Sequence, residues 1–264
     1  MSSSPRLWPN PPGNSPLPLP PGPVLFTSKE IIQISAPSMP NAETIDLAGL
    51  REYIGSHMLE DGTKVSDVID LEKRRPLLVV GELANPYRLC DLMAPDMPLI
   101  PVRIEDICRT WSDNLDDRDI RPGIHHVTIV RSPGWWERTF ITFLEPADMK
   151  RIVQWLDGPN PNTWAPKRLA EGVIRLEDDM QLAPPNFDQI SWDGVTEKVE
   201  IETPKPNGPA LDLSTIMVPI NIRIGCYNSR GRVTRCHHFP QTEFHEKLFR
   251  RGSSFKWSDM LNFL

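Results

Sequence analysis

Two neighbouring stretches, IEDICRTWSDNL at residues 104–115 and IHHVTIVRSPGWWERTFITFL at residues 124–144, decide how this chain is read. In the first, Ile104, Ile107, Cys108, Trp111 and Leu115 fall at i, i+3, i+4, i+7 and i+11, the spacing that lines one face of an α-helix. It predicts a helix over 104–115 with that face buried. In the second, 124–130 and 139–144 are rich in β-branched and aromatic residues, and Ser132-Pro133-Gly134 between them is turn chemistry. An antiparallel pair is expected there. Helices beside hairpins make the expected fold class α+β, mixed helices with antiparallel β-hairpins.

Outward from that centre the signals are shorter. Leu47, Leu50, Ile54 and Met58 recur at helical spacing over 45–58, and 66–73 reads as a second, shorter helix. Leu77 to Val80, closed by Gly81, reads as a buried strand. Asn85-Pro86 supplies a cap and a first-turn proline for a helix carrying Leu89, Leu92 and Met93. Pro146 opens a helix with Met149, Ile152, Val153 and Leu156 on one side, and Gly158-Pro159 stops it. Beyond it, 173–176, 195–201, 216–226 and 232–239 read as strands, the last two joined across Asn228 to Gly231. Residues 1–23 hold nine prolines, which fix φ and remove N–H donors, so a disordered, extended tail is expected. The implied organisation is a tail over 1–23, an α+β region over 24–158 and a mainly β region over 159–264, or a single domain over 24–264.

Composition sets the class. The chain has 264 residues, 39% of them apolar and eight of them Trp, which is ample for a core. No run approaches the roughly 20 apolar residues of a membrane span. The N-terminus lacks the apolar core of a signal peptide, so an intracellular, cytoplasmic or nuclear protein is expected. Four cysteines are too sparse for a disulfide scaffold. No Walker loop, G-x-G-x-x-G, Gly-flanked serine elbow or H-E-x-x-H is present, and neither a catalytic residue nor a cofactor is expected. An enzyme of a class without such a motif is the alternative.

The charge distribution carries the functional expectation. Between Asn221 and Trp257 eight basic residues face two acidic ones, a local +6 in a chain of net charge -6, so the remainder sums to -12. Arg223, Arg230, Arg232, Arg235, Arg250, Arg251 and Lys256 are the expected contacts to a polyanion, a nucleic acid or an anionic membrane surface. Tyr227, Phe239, Phe244, Phe249, Phe255 and Trp257 lie among them. Arg230 and Arg232 are expected to point to solvent from the hairpin. The same segment suits the acidic body of the protein itself. Cys226, Cys236, His238 and His245 offer zinc-type donors, but nine residues separate the cysteines and six the histidines, outside structural zinc spacings. Ordinary strand cysteines and surface histidines are expected, and no metal. Asp113, Asp116, Asp117 and Asp119 lack the order of a calcium loop and read as a solvated helix end.

Three further features point to protein partners or regulation. Trp135 and Trp136 follow Pro133-Gly134, and consecutive strand residues face opposite ways, so the rings either pack under a neighbouring loop or leave one exposed as an anchor. Arg6, Pro9 and Pro12 fit an SH3-type polyproline ligand. Arg250-Arg251-x-Ser253 has the form of a basophilic kinase site. A proline-rich tail before a small α+β body with a basic surface is similar in layout to viral matrix or accessory proteins. The PPxY and P[ST]AP motifs are absent, however, and matrix proteins are usually basic where this chain is acidic. The expected function is therefore a non-enzymatic interaction or structural protein, with a protein–protein adaptor and a viral matrix or accessory protein as alternatives.

Overall fold

The computed structural model describes residues 19–115, 125–159, 161–221, 232–248 and 260–264. Its fold combines mixed sheets with a few helices, compatible with the α+β class. The centre is a ribbon of two long antiparallel strands, β5 (Met97–Leu115) and β6 (His125–Leu144). At about 3.3 Å per residue each spans on the order of 60 Å. Strands β1 (Val24–Phe26), β4 (Arg75–Val79) and β8 (Val173–Leu176) pair onto it. Further strands, β2 (Ile31–Gln33), β3 (Thr44–Ile45) and β11 (Ala210–Leu211), complete an eight-stranded sheet, while β7 (Trp164–Lys167) and β12 (Val218–Asn221) pair antiparallel with each other. Hydrogen bonding between β5 and β8 thus crosses the expected boundary at 158/159.

The helix predicted over 104–115 is corrected: this stretch is the second half of β5. The reason lies at Asp106, which has φ 60° and interrupts the register between Glu105 and Ile107. In a regular strand Ile104 and Ile107 would face opposite ways. The irregularity adds one residue, so Ile104, Ile107 and Trp111 reach the same core while Cys108 enters a different one. Odd spacing plus a bulge mimics helical spacing. Trp111 is nonetheless buried, as its stripe required.

The turn predicted at Ser132-Pro133-Gly134 is corrected for the same reason. Glu105 pairs with Trp136 and Ile107 with Arg131, so residues 132–135 stand opposite Asp106 alone. The chain bulges out and continues in its original direction. Gly134 takes φ 75°, and its N–H donates to Asp106 Oδ1 at 2.7 Å, so each irregularity supports the other. Pro133 and Gly134 make a bulge because β5 stays opposite on both sides of it.

Helices cover both faces of the sheet. Helix α1 (Leu47–Gly55) is capped by Asp46, which accepts from Gly49 N at 2.9 Å. With the short α2 (Val65–Val68), it packs Leu50, Ile54 and Val65 onto Leu78, Ile104, Ile107 and Trp111. On the other face, α3 (Pro86–Asp91) and α4 (Pro146–Asp157) bring Leu89, Ile152 and Leu156 against Leu77, Val79 and Phe140. The alternation of Leu77, Leu78 and Val79 between these cores is the period-2 signature of a strand buried on both faces. Gly158, at φ 55°, ends α4.

The expected tail boundary moves. Pro20 is buried, Leu19 packs at the edge of the second core, and Arg138 Nη2 donates to Pro20 O at 3.4 Å, so the packed chain includes residues 19–23. Residues 1–18, with Arg6, Pro9 and Pro12, lie outside the described residues. The strand expected over 232–239 is also corrected: Thr110 bridges Arg235, and 236–239 form turns. The joining turn at 228–231 lies outside the described residues. Among these residues no helix is long and apolar enough to cross a membrane.

Candidate functional site

Three of the residues singled out by sequence, Trp135, Arg232 and Arg235, converge beside the β6 bulge. What gathers them is a hairpin that the sequence reading missed, β9 (Ile190–Trp192) paired antiparallel with β10 (Glu197–Val199). Its turn is Asp193-Gly194-Val195-Thr196. Asp193 Oδ1 accepts from the N–H groups of Val195 and Thr196, both at 2.7 Å, and Gly194 takes φ 103°. These bonds hold the Asp193 carboxyl below the usual carboxylate range, Thr196 N–H first. Asp-Gly between strand-forming residues is a strong short-range hairpin signal and was the clue available in sequence.

Glu197 is the hub. Its Oε1 accepts from Arg232 Nε at 2.9 Å, and its Oε2 pairs with Arg235 Nη1 at 2.9 Å. Arg235 Nη2 donates to Ser132 Oγ in the bulge at 2.8 Å. The Arg235 residue is only 3% exposed, and its guanidinium carbon stands 4.9 Å from the Trp135 ring, where the ring quadrupole offsets part of the charge's desolvation. Arg232 lies over Phe187 at 4.7 Å and near Trp192 at 5.9 Å. His238 Nε2 lies 2.9 Å from Pro185 O, and because a carbonyl only accepts, Nε2 carries the proton and donates. Its ring meets Trp135 at 5.2 Å and Phe187 at 5.6 Å.

The expectation that Arg232 points to solvent is corrected, because Glu197 draws its head group inward and leaves the side chain 17% exposed. Arg235 is buried outright. An exposed tryptophan anchor is likewise excluded: Trp135 and Trp136 are 1% and 2% exposed. Opposite faces suffice for both, because each face of β6 is covered here. Trp135 enters a small core with Cys108, Val130, Ile190, Val233 and Met260. Trp136 packs under the loop after β8, donating Nε1–H to Ala183 O at 2.8 Å. Arg223, Arg230, Arg250, Arg251 and Lys256 lie outside the described residues, as does Cys226.

Between the hairpin and the bulge lies a cavity of about 200 Å³. Arg131, Arg235, Ser132 and Glu197 supply its polar lining, and Trp192, Val195, Val199 and Val233 much of the apolar one. Val195, at the turn, is 82% exposed, and Phe187 nearby is 50% exposed. Arg131 is tied outside by Glu171, with Nε and Nη2 each donating at 2.8 Å. Two buried donors of the cluster, Trp135 Nε1 and Arg235 Nε, meet no acceptor among the described residues. Each such group costs about 1–3 kcal/mol.

Burial disfavours the charged forms of two thiols and four imidazoles. Burial pushes the Cys108 thiol up to about 12 and the Cys236 thiol well above its ordinary value. It lowers His57, His237 and His238, and brings His125 down to about 4. His125 Nδ1 bonds Ser112 O at 2.9 Å and must carry the proton. Its Nε2 therefore accepts from His245 Nδ1, also at 2.9 Å. Among the described residues no group of three or more His, Cys, Asp or Glu side chains is arranged to hold a metal ion. Comparisons with protein-family models, with curated proteins and with solved structures find no match for this chain.

Proposed function

We propose that this is a non-enzymatic interaction protein whose basic, aromatic C-terminal region contacts a polyanion through phosphate groups. The observation that carries the reading is an open cavity lined by Arg131, Arg235 and Trp192, with Arg232 lying over Phe187 and near Trp192 beside it, in a chain whose residues 221–257 carry a local charge of +6. Guanidinium groups neutralise phosphates, and ring faces beside them accept bases or lipid interfaces. Burial makes Cys108 and Cys236 poor nucleophiles and His125 a poor base, which weighs against catalysis by those three residues.

The test is equilibrium binding of the full chain to single-stranded RNA, duplex DNA and anionic vesicles at about 50 mM salt, where screening is weak. Binding to at least one is expected, with log affinity falling linearly against log salt. Reversing Arg250 and Arg251 to Glu should flatten that slope by between one and two on a nucleic acid. A parent chain that binds none of the three would remove the reading.

A further inference from the structure

The cavity separates two kinds of polyanion that charge alone treats alike. A bilayer presents a plane of head groups and is met by protruding side chains. A recess about 200 Å³ in volume, walled by Trp192 and Val199 and floored by Ser132 and Arg235, instead admits a group that projects from its chain. An unstacked nucleobase is such a group, and every base offers a π-face to an indole. The polar lining matches it. Glu197, whose carboxylate faces Arg232 and Arg235 in this cluster, is an acceptor suited to the exocyclic amines of bases. Arg131 lines the cavity with about a third of its side chain exposed, and a flanking phosphate would reach it by competing with Glu171 for the guanidinium.

On these grounds we infer that the cavity between the 190–199 hairpin and the 132–135 bulge receives one base of a single-stranded nucleic acid, stacked against Trp192 with its phosphate toward Arg131. The inference rests on the polyanion reading and narrows it to single strands. Duplexes keep their bases stacked and cannot fill the recess without paying for unpairing. Val195, an exposed lining residue, then lies beside the strand as it leaves.

The experiment compares fluorescence-anisotropy titrations of a labelled ten-nucleotide single-stranded RNA and of a duplex of the same length, at about 50 mM and 150 mM salt. The parent should prefer the single strand. Trp192→Ala should weaken single-strand binding about tenfold, within the range one stacked base contributes, and leave the salt slope unchanged because no phosphate contact is lost. Val195→Glu changes an exposed residue, so folding is expected to survive and is checked by thermal melting; it should weaken binding several-fold, whereas Val195→Lys should not. Equal affinity for strand and duplex, or parent-like binding by both Trp192→Ala and Val195→Glu, overturns the cavity inference and leaves the polyanion reading standing. A parent that binds neither RNA overturns the cavity inference, and the duplex-DNA and vesicle titrations then decide the broader reading.

Discussion

Among the arginine–glutamate clusters along the ribbon, two share the same chemistry but differ in access. In the middle of the ribbon Glu137 takes three donors from one residue: Arg109 N at 2.6 Å, Nε at 3.0 Å and Nη2 at 2.7 Å. Both side chains are 2% exposed. At the bulge, Glu197 is shared by two arginines beside an open cavity, and its own side chain is 10% exposed. The first pair is a sealed cross-strand staple. The second is arranged so that a visitor could reach it. Burial and access, not residue type, separate the two clusters.

That contrast predicts its own ranking of effects. Glu137→Ala strands a buried guanidinium and should cost about 3–5 kcal/mol in a denaturant titration. Trp111→Ala, which empties the core beneath the ribbon, belongs in the same range of about 3–5 kcal/mol. Glu197→Ala should cost less, about 1–3 kcal/mol, because cavity water can reach the arginines it releases. Equal losses at Glu137 and Glu197 would mean the bulge cluster is as sealed as the staple.

Protonation gives an intermediate effect. Burial lowers the His125 pKa from 6.5 to about 4, so the unfolded chain binds this proton more readily than the native one. Stability from this group is complete above pH 6.5 and is lost as pH falls toward 4, by up to about 3 kcal/mol. Melting temperatures recorded from pH 7 to pH 4.5 should fall, and His125→Asn should shallow that fall. An unchanged slope in the variant would assign the acid sensitivity to other groups, such as His57 or His238. At the far end of the ranking, Val195→Glu should change stability by less than about 0.5 kcal/mol, since its side chain stands in solvent.

How much of this was legible in the sequence follows from the range of each signal. Helices α1, α3 and α4 were readable because caps, prolines and periodicity act within one or two turns. The ribbon was not. Its register is set by pairing between β5 and β6, and the Asp106 irregularity turned a strand with two buried faces into the image of a helix. For the site, Arg232, Arg235 and Trp135 were picked out by charge and aromatic content. Glu197, Trp192 and Phe187 were not, because nothing local marks a carboxylate that will meet an arginine 35 residues later. The Asp193-Gly194 turn was the one local clue that places them.

The most direct test of where the polyanion sits is amide hydrogen exchange on the full chain with and without a saturating single-stranded RNA. The account predicts added protection in the peptides covering 187–199 and 232–235. Central β5 amides such as that of Val102, already locked in the ribbon, should not change. Protection confined to other surfaces, with the 190–199 hairpin unaffected, would contradict it.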